Sequence, residues 1–171
     1  LFAGGLLAAV LLRDVGRVRI RSPFAGRVAL PSVDQAKQLV AALNENVYRA
    51  FEAQSEDAIY DLLAQSVDAS LLDELYGQVY ESLVLSEQGG AMCSVESVEV
   101  VEETVDLAAF DESDPRFRVD MRWQVQGSVA HWGHVHRRLN EYHADLVVRH
   151  DGEGWKIASV AVKEQRRVQE S

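Results

Sequence analysis

The chain predicts an α+β domain, with three N-terminal helices packed on a curved, mostly antiparallel sheet. Three observations carry this. Apolar residues recur at helical spacing up to Gly89-Gly90, and beyond that point they alternate with polar ones. The alternating stretches are long and are separated by turn residues, which suits hairpins rather than crossovers. The chain has 171 residues, of which 47% are apolar and 26% charged, enough for one domain with a real core. There is no internal repeat and no low-complexity tract.

The first helix opens at Pro31-Ser32, where Ser32 can cap it and Gln35, three residues on, completes a capping box. Ala36, Leu39, Val40, Leu43, Val47, Tyr48 and Phe51 form its apolar stripe. Ser55 followed by Glu56 and Asp57 starts a second helix, which runs to about Val67. Asp68 or Ser70 caps a third, which runs to about Leu85 with Leu71, Leu72, Leu75, Val79 and Leu83 on its stripe. Ser94 to Val105, rich in Val and Glu, reads as the first strand. A loop at Asp111 to Pro115 precedes strict alternation from Arg116 to Val129, the pattern of a strand with one wet face. Tyr142, Ala144, Leu146 and Val148 form the inward row of the next strand. Asp151-Gly152-Glu153-Gly154 is a hairpin turn, and Trp155 to Val168 is the last strand.

Charge is unevenly spread. The net charge of −10 argues against a general nucleic-acid binder, which needs a basic footprint. Between Arg49 and Arg116 there are seventeen Asp and Glu and no Lys or Arg. Such a run reads either as a solvated helical face or as a surface for a basic partner. Residues 1–12 carry no charge, and Arg13, Arg17, Arg19, Arg21 and Arg27 follow. Twelve apolar residues are too few to cross a bilayer, which takes about 20. Residues 1–12 therefore read as the end of a membrane-anchoring segment, with a core element or a signal-peptide remnant as the alternatives. Residues 13–31 then form a linker and 32–171 a single domain, membrane-associated on a side left open. Cys93 is the sole cysteine, which excludes an intrachain disulfide and leaves the compartment open.

All five histidines lie between His131 and His150. Imidazole is both the common transition-metal ligand and the common acid or base at neutral pH. On a strand, residues i and i+2 share a face, so His134 and His136 would lie with Arg138, Asn140 and Tyr142, while His143 faces away. The inward row thus turns polar toward the His134 end, as the mouth of a pocket would. Three readings follow: a hairpin whose His and Arg side chains satisfy one another, a ligand pocket built from His136, Arg138, Asn140 and Tyr142, and a transition-metal site at His131, His134 and His136. The spacing His-x-x-His-x-His lacks the helical i, i+4 pair that makes a zinc-protease motif specific. There is no nucleophile elbow and no phosphate loop, and Cys93 beside Met92 reads as a small buried residue.

The helical first half, the Arg116–Val129 strand, the Tyr142–Arg149 strand and the closing Asp-Gly-x-Gly-Trp-Lys-Ile together resemble the nuclear transport factor 2-like (cystatin-like) superfamily over roughly Ser32 to Val168. The resemblance implies a cone-shaped α+β fold. Enzymes of that superfamily use acids, Tyr or His inside the cone, and no catalytic motif of theirs matches here. The apolar start, the Arg-rich linker and the missing catalytic motif point to a tethered, non-catalytic binding or assembly domain, with a protein partner or a homodimer, a role that the resemblance permits through membrane-anchored relatives in bacterial secretion and transport machinery. The alternative is a small-molecule or metal-binding domain, with or without enzyme activity, that uses the His/Arg/Tyr rim.

Overall fold

In a computed structural model, residues 28–87, 92–108, 110–131 and 134–168 are described. The apolar start, the Arg-rich linker and Gly89-Gly90 lie outside them, as do Trp132-Gly133 and the side chains of Met92, Cys93 and His131. Helix α1 spans Val33–Arg49 and continues into a short 3-10 turn at Ala50–Glu52; α2 spans Glu56–Ser66 and α3 Ala69–Glu87. The strands are β1 (Met92–Asp106), β2 (Arg116–His131), β3 (His134–His150) and β4 (Trp155–Val168). They form one antiparallel sheet in the order β1-β2-β3-β4, with the helices on one face. The α+β class, the helix count and the meander are as the sequence predicts.

The caps explain where the helices begin. The Ser32 hydroxyl accepts from the Gln35 amide at 3.2 Å, and the Gln35 side chain accepts from the Ser32 amide at 2.9 Å. Ser55 accepts from the Ala58 amide at 3.3 Å. For α3 the choice falls on Asp68, whose carboxylate accepts from the Ser70 amide at 3.2 Å. Asp68 also pairs with Arg149 of β3, and the Asp68 amide donates to the Ile157 carbonyl of β4 at 2.9 Å. The start of α3 is thereby fastened to two strands. The β3–β4 turn is held by Asp151, whose carboxylate accepts from the Glu153 and Gly154 amides, with Gly152 at a φ of 107°.

One core lies between the layers. On β2 it takes Phe117, Val119, Met121, Trp123 and Val125, and on β3 Tyr142, Ala144, Leu146 and Val148. Against these pack Val40 and Leu43 of α1, Ile59 and Leu63 of α2, and Leu71, Leu75 and Val79 of α3. At about 3.3 Å per residue a 16-residue strand such as β2 runs about 53 Å, whereas the 17-residue α1 covers about 25 Å at 1.5 Å per residue. The sheet therefore outruns its helices. Burial stops at the level of Val125 and Tyr142, and His134 and His136 are exposed. Register shifts leave one extra residue each at Glu96 and Val101 of β1 and at Ala158 and Lys163 of β4, and such bulges bend the strand that carries them.

Candidate functional site

Strand β3 begins at His134, so the parity read from sequence applies along its whole length. Its inner row is His134, His136, Arg138, Asn140 and Tyr142. On β2 these stand opposite His131, Val129, Gly127, Val125 and Trp123. On β4, Asn140 pairs with Arg167 and Tyr142 with Gln165, while His136 and Arg138 lie beyond the end of that pairing. Arg167 and Gln165 thus join the row. Nothing in a local pattern could identify them, because only the register brings them there.

The row divides into two parts. Tyr142 is 6% exposed and stacks on Trp123 with ring centroids 5.5 Å apart. The Trp123 indole N–H donates to the Tyr48 hydroxyl at 3.0 Å. Burial pushes both phenols upward, Tyr48 far more strongly. Tyr48, Trp123 and Tyr142 are thus a satisfied core cluster that fills the space between α1 and the sheet. Beyond it the row rises into the uncovered end of the sheet. Arg138 is partly buried there, opposite a glycine, and its Nε has no hydrogen-bond partner among the described residues.

For the metal set, the register places His131 directly across from His134, with His136 two residues further along β3. Among the described residues no three His, Cys, Asp or Glu groups gather as a metal ion would require. A cavity of about 120 Å³ lies between the end of α1 and the start of β1, lined by Glu45, Tyr48, Arg49, Glu52, Val95 and Val98 among others. It does not include the His136–Arg138–Asn140 row.

The more elaborate polar construction lies on the other face, where the sequence places His143. Asp120, Arg122 and Gln124 of β2 stand opposite Asp145, His143 and Glu141 of β3. Glu141 accepts from Gln124 at 2.7 Å, Arg122 at 3.0 Å and Arg166 at 2.9 and 2.7 Å. It is 4% exposed although no helix among the described residues covers this face. The Gln124 hydrogen bond leads in holding its carboxyl down to about 2; burial opposes this, and Arg166 and Arg122 add to it. Lys163, the extra residue of the β4 bulge opposite His143 and Ala144, reaches Asp120, and Asp145 at 2.6 Å. Asp120 is held below the usual carboxylate range by the Lys163 hydrogen bond first and the His143 one second.

His143 completes the ladder. Arg122 approaches its Nδ1 at 3.2 Å, and Asp120 its Nε2 at 2.9 Å. Arginine only donates, so Nδ1 accepts and Nε2–H donates to Asp120. Both ring nitrogens are engaged, which leaves no lone pair free for a metal. Alternating charge along β2 and β3 is visible in the sequence, but which charges meet becomes apparent only with the register and the bulge.

No family model matches the chain, and no curated protein matches it. Among solved structures it is similar to the intermembrane space region of the chloroplast protein ARC6, at 15% identity and a TM-score of 0.48, over 77% of this chain and 96% of that one. A likeness at this level carries no argument about activity or partners, and the fold assignment rests on the elements described above.

Proposed function

We propose that this chain is a non-catalytic binding or assembly domain, held at a membrane through its N-terminal segment and built on the nuclear transport factor 2-like plan. The observation that carries the non-catalytic part is the filled space at Tyr142. Where a ligand-binding cone would be hollow, Tyr48, Trp123 and Tyr142 stack and hydrogen-bond together. The commitment of both His143 nitrogens to structural partners adds to it. The membrane part rests on residues 1–12, uncharged and followed by arginines. No helix among the described residues is long and apolar enough to cross a membrane. Full-length protein is expected in the membrane fraction of its host cells, and deletion of residues 1–12 should release it. Unchanged fractionation after that deletion refutes the tether.

A second reading is favoured by Arg138, whose Nε lacks a partner next to Asn140 and Arg167 at the open end of the inner row. That end would take a small carboxylate or phosphate, or a transition metal at His131, His134 and His136. Metal analysis of the purified chain, together with calorimetric titration of zinc and of inorganic phosphate, checks it. Binding of either that is lost on Arg138→Met or His136→Ala supports this reading, and no binding of either removes it.

A further inference from the structure

Three aromatic rings line up along the α2–α3 pair, one exposed and two half-buried. Tyr60 of α2 is 51% exposed, and its ring lies 6.2 Å from that of Tyr76 of α3, edge-on at 73°. Tyr76 in turn lies 5.9 Å from Tyr80, with the ring planes parallel to within 3°. The Tyr76 hydroxyl donates to Glu56 at 3.3 Å, which fixes the middle ring.

Carboxylates surround this row. Glu56 and Asp57 stand four and three residues before Tyr60, and Asp73 three before Tyr76, spacings that put them on the tyrosine side of each helix. On the bare face of the sheet acidic side chains are matched: Asp120, Glu141, Asp145 and Glu164 each meet Lys163, Arg122 or Arg166. The helices that carry the tyrosines bring no cation of their own, since no Lys or Arg occurs between Arg49 and Arg116. Asp57 and Asp73 are exposed and form no ion pair among the described residues.

We infer that this aromatic, acid-rimmed row is a docking surface for an extended segment of a partner protein that carries arginine at alternate positions. In an extended chain, residues i and i+2 point the same way about 6.6 Å apart, close to the ring spacings on this surface. A guanidinium plane can lie on a tyrosine face while its charge is met by the rim carboxylates; an ammonium, compact and strongly hydrated, fits this arrangement less well. Tyrosine and arginine are also the residues on which binding energy tends to concentrate. The inference rests on the reading of the chain as a binding domain, and not on the membrane tether.

The test titrates the full chain into a fluorescein-labelled nine-residue peptide in which arginine alternates with serine, read by anisotropy. Saturable binding is expected that weakens with added salt, and weakens again by at least about three-fold when lysine replaces arginine. Tyr60→Leu keeps an apolar side chain at an exposed position and should weaken arginine-peptide binding about three-fold or more, whereas Tyr76→Phe, which keeps the ring, should retain it. Circular dichroism confirms that both variants fold. Equal affinity for Tyr60→Leu and the parent chain, or no binding at low salt, overturns the inference. So does binding seen only after Arg17, Arg19 and Arg21 are replaced by serine, since the chain's own arginine run would then be the occupant. Release from membranes on deleting residues 1–12 is a separate outcome, so failure of the docking surface and failure of the tether are read independently.

Discussion

Glu141 shows how a carboxylate becomes buried without a helix over it. Its cover consists of its own donors, Gln124, Arg122 and Arg166, drawn from the two strands that flank β3. The consequence for pH has a definite sign. The carboxyl sits at about 2 in the folded chain against 4.5 for the free group, so its contribution to stability is complete above about pH 4.5. That contribution is lost as pH falls toward about 2. Asp151 follows the same course from 3.8 to about 2: burial pushes it up, but Lys156 and the Glu153 and Gly154 amides outweigh that. Thermal melts between pH 6 and pH 2 should therefore show a falling midpoint below pH 4.5. Glu141→Gln should show a shallower fall over the same range; an identical slope would mean that Glu141 is not the group responsible.

Among the elements, β1 and β2 approach each other closely where Gly127 pairs with Val95. A side chain at Gly127 would begin 2.6 Å from the Ser94 carbonyl oxygen, a contact that backbone cannot relieve by turning a rotamer. The extra residue of the bulge between Val95 and Ser97 sits beside it. Gly127→Ala is expected to destabilise by roughly 1–3 kcal/mol, measured by urea denaturation. The sequence made this strand legible but not this requirement, because alternation locates the strand and says nothing of how closely its neighbour approaches. The same division runs through the other elements. Ser32, Ser55 and Asp68 announce the helix starts because capping is a local event of three residues. The row from His134 to Tyr142 was legible too, since parity along one strand is also local. The end of helical cover at Val125, which turns Tyr142 from rim into core, depends on relative lengths of elements distant in the chain. The Glu141 cage depends on register across three strands and escaped for the same reason.

For the whole molecule, the joint between layers is concentrated at the start of α3. The Asp68–Arg149 pair and the Asp68 amide bond to Ile157 tie the helices to β3 and β4, and Val67 forms an isolated bridge with Ile157 beside them. Asp68 is 8% exposed, so Arg149→Met leaves a buried carboxylate without its cation and should destabilise by about 3–5 kcal/mol in urea unfolding. A loss below about 1 kcal/mol would show that solvent reaches Asp68 freely. The sheet order follows chain order, each strand pairing with the one made just before it. On a ribosome this sets a schedule. When β3 has emerged, Glu141 already has Gln124 and Arg122 beside it, but Arg166 belongs to β4, which is synthesised after it. Until β4 leaves the exit tunnel the carboxylate is caged on one side only, so the bare face of the sheet reaches its final electrostatic state after the other three strands are already paired.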